Sequence, residues 1–291
     1  MLKNLPTRAA LHFATIFLNC TIGALAAETF TGSVVSVIED RQALVVQAEG
    51  RETPMTVDVG PGDYAIARPG WKIRGELVPY AGRRLLQTIM PNDPRDKALI
   101  QRLDRQLQQN TLNRGSAAFR GMGERIPRFA LWKQDGALFH SDSLRGNYAV
   151  INFIFTRCKS ANMCPAATKR MTQLQKMAKE QGIADLRQIS ITLDPEFDTP
   201  GVFTAYAAGR EIDPEKFFFL SGPARVVENL KIQLGVLAEP DEEEIIRHTL
   251  ATALIDPSGE IIYRIPGSQW DPAVFLQQIE KHRNAQTASA Q

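Results

Sequence analysis

The chain is poor in the residues that do soft-metal and acid–base chemistry. Of 291 residues only three are cysteines and four are histidines. It also lacks an excess of either charge. The 34 lysines and arginines against 32 aspartates and glutamates leave +2, which makes no electrostatic case for a nucleic-acid partner. There is no low-complexity tract and no repeat with a period of about 20–50 residues, so solenoids, propellers and arrays are excluded. What remains, 44% hydrophobic and 23% charged, is an ordinary globular composition with length enough for more than one domain.

One apolar run approaches membrane-spanning length: LHFATIFLNCTIGALA, preceded by Lys3 and Arg8 and closing on Ala24-Leu25-Ala26. Positive, apolar and small segments in that order read as a secretory signal peptide over residues 1–26, cut near Ala26 or retained as a membrane anchor. This segment holds both of the excess positive charges, so the remainder is neutral. Asn19 stands before Cys20 where a lipobox needs a small residue. The expected location is periplasmic or otherwise exported. Removal of the signal leaves Cys158 and Cys164 as the only thiols, in an oxidising compartment where a neighbouring pair forms a disulfide unless kept reduced or metallated.

Residues 28–90 read as all-β. TFTGSVVSVIED and QALVVQAEG alternate apolar and polar residues, and MTVDVG, WKIRGELVPY and RRLLQTIM continue the pattern between the Gly-Pro stretches at 60–62 and 69–70. Five short strands in that length predict a small barrel, a sandwich or an OB-like domain. Residues 91–123 read as a connector. Asp93 and Pro94 open a helix with Leu99, Leu103 and Leu107 on one face, and a linker runs from Asn110 to Gly123. From 124 to 285 strands and helices alternate. YAVINFIFT is apolar enough to be buried on both faces, PAATKRMTQLQKMAKEQG is a helix, and RQISITLD and KFFFL are further strands. A helix is expected near 200–210 and another over ARVVENLKIQL, with TLATALIDPSGEIIYRI a hairpin and DPAVFLQQIEKHR a last helix. That order is thioredoxin-like α/β. Residues 286–291 read as a tail.

In RCKSANMCPAATKRM, Cys158 lies in the strand-to-helix loop and Cys164 at or beside the helix N-cap. A thiolate there faces unpaired N–H groups and the positive end of the helix dipole, and Lys159 adds a positive charge. Six positions on a helix are about 240° out of phase, so the sulfurs meet only if KSANM loops out. A redox disulfide, a metal clamp and a structural staple all remain open on these residues.

The stretch from Glu124 to about Lys281 resembles the Sco/SenC family of thioredoxin-fold copper chaperones. INFIFTRC…CP is similar to the family's strand and Cys-x3-Cys-Pro motif, ISITLDPEFDTP to its strand and turn, and HTLATALIDPSGEI to its histidine and hairpin. The resemblance implies copper bound as Cu(I), with Cu(II) as a second oxidation state, by Cys158, Cys164 and His248. It implies delivery to a cytochrome c oxidase subunit or another cuproprotein, with a thiol reductant protein as further partner. The chain departs from the family in having five residues between the cysteines and Lys159 after the first. The alternative function is a periplasmic thiol–disulfide oxidoreductase whose catalytic pair is Cys158 and Cys164. Residues 28–90 resemble the CusF-like copper-binding barrels, but contain no histidine and only Met55, Met90 and Trp71 of that family's ligand types. Asp194 and Asp198 are candidates for supporting the site or for turn and cap roles.

Overall fold

The computed structural model describes residues 27–240, 246–248 and 251–289, with side chains for 27–237 and 251–289. The expected signal or anchor, residues 1–26, lies outside the described residues. Among those described, no helix is long and apolar enough to cross a membrane.

Strands β1 (Glu28–Ile38), β2 (Ala43–Ala48), β3 (Met55–Asp58), β4 (Lys72–Tyr80) and β5 (Arg83–Pro91) close into a barrel in the order β1-β2-β3-β5-β4. Alternation drives the closure. Along β4, Ile73, Gly75 and Leu77 are buried while Lys72, Arg74 and Glu76 face water. The inward set forms its own core with Phe30, Val34, Leu44, Leu86 and Ile89. One element departs from expectation. The first Gly-Pro stretch, read as a break between strands, holds a short helix α1 (Pro61–Ile66). A proline suits a first helical turn as well as a bend, and six residues are too few for a helical period to register.

Helix α2 (Pro94–Arg114) starts where the Asp93 carboxylate accepts from the Arg95 N–H at 2.8 Å. It continues past the expected end at Asn110 and stops at Gly115, whose φ is 53°. Its length has a tertiary cause. Ile100, Leu103 and Leu107 are buried in the core of the second domain. There α2 packs on α5 (Ala224–Leu234). Arg225 of α5 pairs with the buried Asp104, and Gln233 donates to Leu107 O and Thr111 Oγ1. The connecting helix therefore packs into the core of the second domain.

That domain is built on β6 (Ala130–Lys133), β7 (Leu138–His140), β8 (Tyr148–Ile154), β9 (Leu186–Thr192), β10 (Phe217–Ser221), β13 (Ala251–Ile255) and β14 (Ile261–Pro266). They form one sheet in the order β14-β13-β8-β9-β10-β6-β7. β8, β9 and β10 are parallel; β13 joins β8 and β6 joins β10 antiparallel. All seven residues of β8 are buried, as a strand covered on both faces requires. Helices α3 (Cys164–Glu180), α4 (Pro200–Ala208), α5 and α6 (Pro272–Ser289) complete a thioredoxin-like α/β unit. α6 takes in most of the expected tail. Strands β11 (Ala238–Pro240) and β12 (Ile246–His248) pair antiparallel in a separate two-stranded sheet.

Candidate thiol and metal site

Three connections gather at the ends of the parallel strands. β8 runs into the cysteine loop, β9 into the turn that opens α4, and β14 into the segment before α6. The cysteine loop is a succession of turns: the Cys158 N–H donates to Phe155 O at 3.4 Å and the Met163 N–H to Ser160 O at 3.0 Å. α3 then begins at Cys164 itself, with Pro165 following and no side-chain cap. KSANM is looped out, and the two sulfurs are brought near each other. Cys158 is half-buried and Cys164 fully buried; neither forms a disulfide.

The Cys164 thiol does not behave as its helix position alone suggests. Burial pushes it above the ordinary thiol range, the Phe155 backbone offsets this in part, and the Cys158 sulfur raises it further by charge and by a hydrogen bond. Desolvation of a charged sulfur outweighs the favourable helix end. The half-buried Cys158, whose Sγ lies 3.8 Å from Ser160 O, is the more accessible of the two.

Both ends of the loop are tied to other elements. At its start the Asp198 carboxylate accepts from Thr156 N–H at 3.2 Å and Thr156 Oγ1 at 2.5 Å, and from Thr192 Oγ1 at 2.8 Å. Burial raises the Asp198 carboxyl to about 6 although the threonine hydrogen bonds pull it down. Asp194 binds the next residue, accepting from Arg157 Nε and Nη2 at 3.0 and 2.6 Å, while the guanidinium stacks 4.3 Å from the Phe197 ring centroid. At its far end the loop is tied by Ser268, whose hydroxyl donates to Asn162 O. Asp194 and Asp198 thus support the loop through Arg157 and Thr156. Ser268 is a contributor with no local sequence signal, since its partner is 106 positions away.

His248 lies in β12, paired in register with Ala238. Its side chain is outside the described residues. Among the described residues no group of three or more histidines, cysteines, aspartates or glutamates could hold a metal ion. Two other histidines are engaged elsewhere. His140 Nδ1 accepts from Asp142 N–H at 3.0 Å, and His282 lies 3.0 Å from the Tyr148 hydroxyl and 3.5 Å from Asp256. In the barrel, Trp71 is core, with the Arg68 guanidinium over its ring and Gly136 of the second domain against its edge. Met90 is buried and Met55 packs in the barrel beside Arg84. Trp71 and Met90 are thus committed to packing, and the Met55 sulfur accepts from the Arg84 guanidinium.

A family profile described as SCO1/SenC matches residues 119–284. The SCO1 protein homolog of Bacillus subtilis is 32% identical over 150 residues, covering 50% of this chain and 76% of that protein. A SCO2-like protein of Rickettsia typhi is 32% identical over 140 residues, covering 46% of this chain and 66% of its own length. The crystal structure of a SCO1/SenC family lipoprotein from Bacillus anthracis superposes with a TM-score of 0.50 at 26% identity, covering 56% of this chain and 98% of that one. The matched profile begins at residue 119, so the barrel and α2 precede it.

Proposed function

The chain belongs to the SCO1/SenC family, and from that premise we propose that it is an exported copper carrier. It takes Cu(I) on the Cys158 and Cys164 sulfurs with the His248 imidazole as third ligand. It then passes the ion by ligand exchange to a cytochrome c oxidase subunit or another cuproprotein. The family resemblance to copper chaperones of oxidase assembly supplies the cargo. The observation that carries the reading is the thiol pair itself, one sulfur accessible and the other withdrawn from water beside it. Soft thiolates select Cu(I), and an imidazole suits the third position of a low-coordinate site. Binding a cation would also draw the proton from Cys164, whose burial otherwise keeps it protonated. Anaerobic titration of the reduced chain with Cu(I) against a competing chelator should give one tightly held ion. Retention of that ion by the Cys158→Ser, Cys164→Ser double variant would refute the assignment.

A second reading rests on the unequal exposure of the two thiols. In a thiol–disulfide oxidoreductase, the Cys158 thiolate attacks a substrate disulfide and expels one substrate thiolate. Cys164, deprotonated, then attacks the mixed disulfide and releases the second. The substrate disulfide is reduced, the Cys158–Cys164 pair is oxidised, and a thiol reductant protein restores it. His248→Ala separates the readings: copper affinity falls sharply under the first, and disulfide exchange is unchanged under the second.

A further inference from the structure

α1 of the barrel lies on α4 of the thioredoxin-like domain where two glycines meet. A Cβ built on Gly62 would stand 1.8 Å from the Gly201 carbonyl oxygen, and one on Gly201 2.1 Å from Asp63 Oδ1. Only hydrogen at both positions permits this approach. Asp63 is closed in between the helices at 8% exposure, and its Oδ1 has no hydrogen-bond partner. An ionised carboxylate so placed gives up hydration at Oδ1 with no hydrogen bond in return. The same end of α4 serves the cysteine loop. Asp198, three residues before Gly201, holds Thr156, and Thr199 caps the helix by accepting from the Val202 N–H. A cleft of about 490 Å³ lies against the same turn, with Thr31 and Arg74 of the barrel on one side and Glu196 and Thr199 on the other.

We propose that Asp63 is a positioning residue for the cysteine loop, and that its protonation latches the barrel onto α4. Neutral, it holds the docked arrangement; ionised, it loosens α4 and the Asp198–Thr156 tie at the start of the loop. Burial supports this by moving the carboxyl from 3.8 to about 7. Among the described residues, no neighbouring element sets a charge against it. The other titratable side chains of α1 and α4 are Tyr64, which donates to Ile38 O, and Tyr206, bonded to the Thr168 hydroxyl. At the flanks, Arg68 donates to Ile66 O and Asp135 O, Arg210 stacks on Tyr206, and Asp198 is held by Thr156 and Thr192. β5, which also packs on α4, carries Arg83 paired with Asp58 and Arg84 beside Met55. The docked carboxyl titrates above the released one. Docking is therefore fully favoured below about pH 4, and the advantage is lost as pH rises through about 7. Between pH 5 and pH 8 the docked-to-released ratio falls about 100-fold.

The test compares the reduced full chain with Asp63→Asn, which keeps the shape and removes the charge. Amide hydrogen exchange over residues 61–66 and 198–203, and the rate of Cys158 labelling by iodoacetamide, are followed from pH 5 to pH 8. Each is taken as a ratio of wild type to variant, which cancels intrinsic pH effects. The wild-type-to-variant ratio of exchange and of labelling should rise continuously with pH, by up to about 100-fold between pH 5 and pH 8. Equal behaviour at every pH, or a difference that does not change with pH, would overturn the latch. Gly62→Ala, a wedge in the contact, should bring the faster behaviour down to pH 5; if it fails to fold, the Asp63→Asn comparison decides alone. Neither readout involves copper or disulfide exchange, so the result is independent of the proposed function.

Discussion

Asp198→Asn tests whether a buried carboxylate holds the start of the cysteine loop. The residue is 0% exposed and accepts from the Thr156 backbone and hydroxyl and from the Thr192 hydroxyl. Its carboxyl is raised by burial from 3.8 to about 6, against the pull of those hydrogen bonds. A folded value above the unfolded one means that the native state binds the proton more tightly. The resulting stability is present below about pH 4 and lost as pH rises through about 6. For these values the wild type loses about 2 kcal/mol from this group between pH 4.5 and pH 7.5. Asparagine does not titrate. The hydrogen bond it loses or reorients is a constant offset, and it cancels when the two pH values are compared. Urea unfolding of both proteins at pH 4.5 and 7.5 should show the stability difference moving toward the variant by about 2 kcal/mol as pH rises. Parallel pH dependence in the two proteins, or a shift toward the wild type, would refute the reasoning.

Three further outcomes follow from the same geometry. Iodoacetamide on the reduced chain, mapped by mass spectrometry, should modify Cys158 first and Cys164 at least about tenfold more slowly, because the second thiol is buried and its ionisation suppressed. Ser268→Ala removes the tie to Asn162 and should cost about 1 kcal/mol in denaturant unfolding, with faster labelling of Cys158 as the loop loosens. Arg225→Met strands the Asp104 carboxylate, whose side chain is 6% exposed, and should cost about 2 kcal/mol. That is below a fully buried pair because the arginine is itself half-exposed. Thermal unfolding of the full chain would measure it.

The order of elements was legible because each carries its own period or punctuation. YAVINFI reads as a strand buried on both faces and the Asp93-Pro94 pair as a helix start, and the structure has both. Alternation in residues 28–90 marked the strands, and their closure into a barrel follows the register in which β1 pairs with both β2 and β4. What escaped depends on contacts distant in sequence. α1 is too short for a period and is held by packing against α4. The last turn of α2 is set by Gln233, more than 120 residues away. At the site, the cysteines and the two aspartates stand out locally, but their roles do not. Nothing near Cys164 announces that burial would outweigh the helix end, because that burial comes from the surrounding core. Ser268 carries no signal at all. The Gly-Asp at 62–63 reads as a turn, and only its partner Gly201 makes it a contact.

The central claim, that Cys158, Cys164 and His248 share one ion, is met most directly by X-ray absorption at the copper edge of the anaerobically Cu(I)-loaded full chain. Two sulfur ligands and one nitrogen are expected, with the nitrogen lost in His248→Ala and both sulfurs lost in the double serine variant. A copper environment without sulfur, or one unchanged by those substitutions, would contradict the account.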